Sequence, residues 1–179
     1  MAPINALADE IADRYDLPRG AVPYLDPDQG GIHARALILL DTPGPKAKMD
    51  SGSGLLSLDN DDPTAACLRK EYALRGVDWK DVVHWNVCPF PTSDPDGQST
   101  TEERQIGAQW TRRLVALLPY VRTVLPLGGN ARDGWKRAGI TGLYDFADRR
   151  VPHPSRRGLG GGRQPIFEDA ILDLAGRLG

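Results

Sequence analysis

The chain is poor in the residues that build metal and redox centres. Only two cysteines, Cys67 and Cys88, occur among 179 residues. They lie far apart, not in the close pairs that zinc and iron–sulfur sites use. They read as reduced, buried thiols of a cytosolic protein, and neither a metal nor a cofactor is expected. No apolar run approaches the roughly 20 residues that a spanning helix needs, and no charged-then-apolar leader opens the chain. A soluble, cytoplasmic monomer with no membrane partner is the expectation. Net positive charge is also missing: 22 Lys and Arg stand against 24 Asp and Glu, for a net −2. A surface that draws polyanions everywhere is excluded, so any nucleic-acid contact must come from a local patch. One such patch is visible. Arg149, Arg150, Arg156, Arg157 and Arg163 crowd one segment with no acid between the first and the last.

What is present fits one globular domain over residues 1–179, with 40% hydrophobic and 26% charged residues. Helical apolar spacing runs through 4–15. A second helix is expected at "DDPTAACLRKEYALRG", with an acidic cap, Pro63 in its first turn and Gly76 at its end. A third covers "TEERQIGAQWTRRLVALLPY", with an Ile106/Trp110/Leu114/Leu117/Leu118 stripe. "NARDGWKRAG" and the C-terminal "QPIFEDAILDLAGRLG" read as two more. Short apolar runs at 34–41, 81–87 and 121–129 read as buried strands, and a fourth strand is expected at 144–147 or 149–151. Stretches rich in Pro and Gly at 17–31 and 42–54 read as loops. The alternation predicts an α/β fold, a three-layer α/β/α sandwich around a central, mainly parallel four-stranded sheet.

In such sheets, sites form at the loops that follow the strands. These loops begin at Asp41, Asn86, Gly128 and the Pro152-His153-Pro154 segment. Asp41 has two readings: a turn aspartate, or a carboxylate fixed by the rigid "TPGP" turn to orient water or support a cation. Asn86 either bonds the backbone at a strand end or offers its amide to a base edge. His84 points to the same face as Asn86 and reads as a satisfied core histidine. His153 sits between two prolines, which suits a pre-oriented imidazole. The segment that follows, "SRRGLGGGR", is either a basic linker or a phosphate-binding loop. In the second case Leu159 is an apolar tip able to enter a base stack.

Taken in order, "LDTPGP" at 40–45, "WNVCPFP" at 85–91 and "HPS" at 153–155 resemble the motifs of the uracil-DNA glycosylase superfamily, most of all its thermophile-type branch. The resemblance spans roughly residues 20–170. It implies DNA as partner and two catalytic residues: Asp41 to position water or stabilise an oxocarbenium-like sugar, and His153 to stabilise charge growing on the leaving base. Asn86 would read the polar edge of a flipped pyrimidine, with Thr42, Gly44 and Met49 bordering the base. Pro43, Lys46, Lys48, Ser155, Arg156, Arg157 and Arg163 would meet the DNA backbone, and Leu159 would fill the gap left in the stack.

The chain departs from the pattern of that branch at three places. Two cysteines stand where four would hold an iron–sulfur cluster, so no cluster is expected. The loop "KAKMDSGSGLLSLDN" has no aromatic residue to stack on a base. Gly44 stands where narrow uracil pockets place a blocking tyrosine. A roomier pocket follows, for uracil or a C5-modified pyrimidine, serving repair in the first case and defence against foreign DNA in the second. No lysine other than Lys46 and Lys48 lies in the motifs, which implies a monofunctional enzyme that uses water. Two readings of other classes stand beside it. One is a non-catalytic DNA binder. The other is a nucleotide hydrolase, for which "DNDDP" at 59–63 is the one acidic cluster, better read as a helix cap.

Overall fold

A computed structural model describes residues 1–94, 97–140 and 144–179. The fold is α/β. Its elements in order are α1 (Ala2–Arg14), β1 (Tyr24–Leu25), β2 (Ala36–Leu40), β3 (Leu55–Leu56), α2 (Pro63–Arg75), β4 (Val82–Asn86), α3 (Thr101–Ala116), β5 (Thr123–Pro126), α4 (Gly129–Ala138), α5 (Arg156–Leu159) and α6 (Gln164–Leu178). The central sheet has the order β4-β2-β5 and is parallel throughout. Its middle strand, "ALILL", is apolar on both faces, as a strand covered on both sides must be. Alternate residues divide the core in two. Leu37 and Leu39 face α1, α3 and α4 with Trp85 and Trp110. Ala36 and Ile38 face α2 and α6 with Tyr72 and Phe167.

Helix boundaries follow local chemistry. The Asp62 carboxylate accepts from the N–H groups of Thr64 (2.8 Å) and Ala65 (3.0 Å), and Gly76 ends α2 with φ of 70°. A reciprocal capping box between Thr100 and Glu103 opens α3. That helix ends at Ala116, earlier than the pattern through Tyr120 implies, because Pro119 cannot continue it. Ile106, placed in the apolar stripe, is 37% exposed, and the charged Arg104 is buried instead.

Two further differences concern strands. Among the described residues the central sheet has three strands, not four. The fourth segment meets the edge of β5 only at single parallel bridges, Thr123–Asp145 and Leu127–Val151. Between them the chain turns at Phe146, whose φ is 67°, and the Phe146 carbonyl accepts from the Arg149 N–H at 2.9 Å. An extended ladder cannot run through that turn. Conversely, two stretches read as loops contribute β1 and β3, which pair in parallel as a separate two-stranded sheet.

The chain that leaves β4 is clasped between α3 and α4. A Cβ on Gly107 of α3 would lie 2.0 Å from the Val87 carbonyl oxygen, and one on Gly134 of α4 would lie 2.5 Å from the Val87 Cβ. Ordinary helix propensity favours Gly→Ala by about 1 kcal/mol. At Gly107 the clash reverses the sign. Gly107→Ala is expected to destabilise the fold by about 1–3 kcal/mol, read as a lowered urea midpoint; an unchanged or raised midpoint contradicts the clasp.

Candidate active site

The register sets the C-terminal ends of the three strands side by side: Leu40 pairs with Asn86, and Leu39 with Pro126. A cavity of about 690 Å³ opens at this edge, and Asp41, Asn86 and His153 all line it. Thr42, Pro43, Gly44, Ser155, Arg157 and Arg163 also line it.

His153 is delivered by backbone pairing. Leu127 bridges Val151, and the Val151 carbonyl accepts from the Gly128 N–H at 2.9 Å. Gly128 has φ of 99°, and a Cβ there would stand 3.2 Å from the His153 Cβ. The imidazole Nδ1 accepts from the Ser155 N–H at 3.2 Å. In the neutral ring the proton therefore lies on Nε2, leaving a donor free for a ligand. Burial pushes the His153 pKa below its usual 6.5, against the opposing pull of the Asp41 and Asp62 carboxylates.

Donors converge on Asp41. Its Oδ1 accepts from the Ser99 hydroxyl, and its Oδ2 accepts from the Ser99 N–H (3.2 Å) and the Asn130 amide (2.7 Å). The next residue, Thr42, donates its hydroxyl to the Gly97 carbonyl. The turn after β2 is thus fixed from both sides.

Asn86 is 2% exposed, and its Oδ1 has no hydrogen-bond partner among the described residues. A buried polar atom left unpaired in a cavity wall is unfavourable unless a ligand or solvent meets it. His84, two residues earlier, is the opposite case. Gln29 Oε1 accepts from both its backbone N–H (2.8 Å) and its Nδ1 (3.0 Å), and its Nε2 lies 3.1 Å from the Tyr72 hydroxyl. It is a satisfied core histidine, and burial lowers its pKa to about 4.

The remaining expected residues are placed as follows. Ser155 caps a short helix, its hydroxyl accepting from Gly158 N–H at 3.1 Å, so the segment read as a loose loop begins as α5. Leu159 ends α5 and packs on the core beside Phe167, away from the cavity. Arg163 lines the cavity while donating to the carbonyls of Gly160 (2.8 Å) and Arg157 (2.9 Å). Arg156 is exposed but does not line the cavity. Arg149 is taken up by Asp169 and Asp173 of α6. Lys46 is exposed and Lys48 half-buried, both outside the lining. Met49 is 52% exposed and packs toward Gly20 and Gly54, not toward the cavity. Pro43 is buried.

Sequence reasoning missed Ser99, Asn130, Asn60 and Asp62. Asn130 was within reach, since it stands two residues past Gly128 at the end of β5. Ser99 carries no local signal. Asn60 and Asp62 line the cavity, although the acidic run that contains them reads as a cap, and Asp62 does cap α2.

Among the described residues, no group of three or more His, Cys, Asp or Glu is arranged to hold a metal ion, and no helix is long and apolar enough to cross a membrane. Both cysteines are free, and burial pushes the Cys88 thiol up to about 12. The sequence matches no protein-family model and no curated protein.

The buried histidines make stability depend on pH. Unfolding lets His84 take up a proton that the folded state refuses, so its contribution is complete above pH 6.5 and lost as pH falls toward about 4. His153 acts in the same direction. Unfolding free energy is expected to fall by roughly 3 kcal/mol over that window from His84 alone. Urea titrations of wild type and His84→Gln at pH 7, 6 and 5 check this; equal slopes with pH in the two proteins would refute it.

Proposed function

We propose that the chain is a monofunctional DNA glycosylase of the uracil-DNA glycosylase superfamily. It takes a flipped pyrimidine into the cavity and hydrolyses its N-glycosidic bond, leaving an abasic site. The observation that carries this reading is the convergence of Asp41, Asn86 and His153, from the ends of separate parallel strands and the bridged fourth segment, on one cavity. The orphaned Asn86 Oδ1 supplies an acceptor for a base N–H donor.

Each group has a role in a balanced reaction. The bond from C1′ to the base nitrogen breaks, and its electron pair leaves with the base. Charge that collects on the base oxygen is met by the free Nε2–H of His153. The ring is neutral at physiological pH, so it acts by donating a hydrogen bond rather than as a charged acid. The positive charge on the sugar is met by Asp41, held by its three donors. Water then adds to C1′ and gives up a proton, and the base leaves protonated. Arg157 and Arg163 at the rim, with exposed Arg156, supply cations for the DNA backbone.

The cavity supports a wide choice of base. A Cβ on Gly44 would meet nothing within 4 Å. Among the described residues Trp85 is the one Phe, Tyr or Trp in the lining, and it belongs to the core beneath it. A volume near 690 Å³ lies in the range that encloses molecules larger than one ring. Uracil or a C5-modified pyrimidine is the proposed substrate, acted on by a cytoplasmic, monomeric enzyme in repair or in defence against foreign DNA.

Duplexes carrying uracil, mismatched thymine and C5-modified cytosines, scored for abasic sites by alkaline cleavage, test the reading. Wild type is expected to release at least one of these bases. Asp41→Asn and His153→Gln are each expected to slow release by about 100-fold or more while duplex affinity stays close to wild type. Exclusive preference for plain uracil would sink the wide-pocket proposal. DNA binding with no base released from any duplex would make the chain a non-catalytic binder.

A further inference from the structure

The two residues that hold Asp41 belong to different parts of the fold. Ser99 lies in the segment before α3, and Asn130 in the first turn of α4. One buried guanidinium reaches both parts. Arg104 Nε donates to Asp133 Oδ2 at 2.7 Å, three residues along α4 from Asn130. Its Nη1 donates to the Ser99 carbonyl and, at 3.0 Å, to the Ser99 hydroxyl, while Nη2 donates to Thr101 Oγ1 at 3.2 Å.

Donor chemistry then fixes a direction. Arginine has no acceptor, so the Ser99 oxygen must accept from Arg104. The single hydroxyl proton is left to point at Asp41. A side chain that only had to fill this face of α3 could be apolar, and burying an arginine with one carboxylate partner is seldom a gain in stability. Arg104 is nonetheless only 8% exposed and has its Nε, Nη1 and Nη2 all bonded.

We propose that Arg104 is a positioning residue for Asp41: it orients the Ser99 hydroxyl and ties Ser99 to α4, so that the donors on the carboxylate come from fixed points. What the held carboxylate does rests on the glycosylase reading; the holding itself does not.

The test follows the Asp41 carboxyl carbon by ¹³C NMR at one fixed pH in the full chain. Arg104→Lys keeps the charge and loses the planar fork. Ser99→Ala removes only the relay. Arg104→Met combined with Asp133→Leu removes both charges together, which buried pairs tolerate better than loss of one partner, and serves if the lysine variant does not fold. The Asp41 carboxyl resonance is expected to move from its wild-type position in Arg104→Lys and in Ser99→Ala, because both change the donors on the carboxylate. Single-turnover base release should fall by about tenfold in the same variants with duplex affinity unchanged. A folded Arg104 variant with the wild-type Asp41 carboxyl resonance overturns the proposal, as does an unmoved resonance in Ser99→Ala. Absence of base release by wild type would sink the glycosylase reading alone, because the carboxyl resonance is read without DNA.

Discussion

Every feature of the cavity depends on the ladder that pairs β2 with a parallel neighbour on each side. The pairing of Leu40 with Asn86 and of Leu39 with Pro126 aligns the strand ends. A register slip of one residue would carry Asn86 to the opposite face and bury Trp85 where the cavity now opens. The slip is opposed on both faces at once, because Ala36 and Ile38 serve one half of the core while Leu37 and Leu39 serve the other. The hydrophobic pattern of five residues in β2 thus fixes the chemistry at residue 41.

Strand ends supply positions, and the segments beyond them supply orientation. Asp41 would be a free turn aspartate without Ser99 and Asn130. His153 would be an unoriented ring without the Val151 bridge and the Ser155 N–H. In both cases a backbone or small side-chain donor fixes a titratable group, a rigid way to prepare charge–dipole contacts before a ligand arrives. His84 marks the contrast along β4. With both ring nitrogens taken by Gln29 and Tyr72 it is part of the core, whereas Asn86, one pleat further, lines the cavity and leaves its Oδ1 without a partner among the described residues.

Much of this was legible in the sequence because it depends on short-range signals. Apolar runs bounded by turn residues located β2, β4 and β5, and the Asp-Pro and Gly signals located α2. Asp41, Asn86 and His153 could be picked out because a polar residue at the end of an apolar run has no propensity reason to be there. The misses have long-range causes. Segments β1 and β3 are two residues each and exist only because they pair with each other across 30 residues of chain. The fourth strand fails because of a left-handed turn at Phe146, a residue type that gives no warning of it. Met49, expected beside the base from the resemblance, packs toward Gly20 and Gly54, and Leu159, expected as an apolar tip for a base stack, packs against the core. The apolar stripe of α3 leaves Arg104 without a role, and its burial depends on Asp133 and Ser99, residues that spacing does not connect to it.

The inward turn of Leu159 bears on how a DNA base would reach the cavity. With Ser155 capping α5, the half-buried leucine packs against the core, and the turn that follows it presents glycines and Arg163. Cations and backbone N–H groups grip phosphates, but they do not hold two neighbouring bases apart. Removing a base from a well-stacked duplex costs a few kcal/mol, and with Leu159 packed against the core its side chain is not placed to offset that cost. The burden then falls on the nucleic acid itself. On the proposed reading, the chain samples bases by how loosely their own strand holds them, so that mispaired, damaged or single-stranded sites come first and chemical identity is read second, inside the cavity.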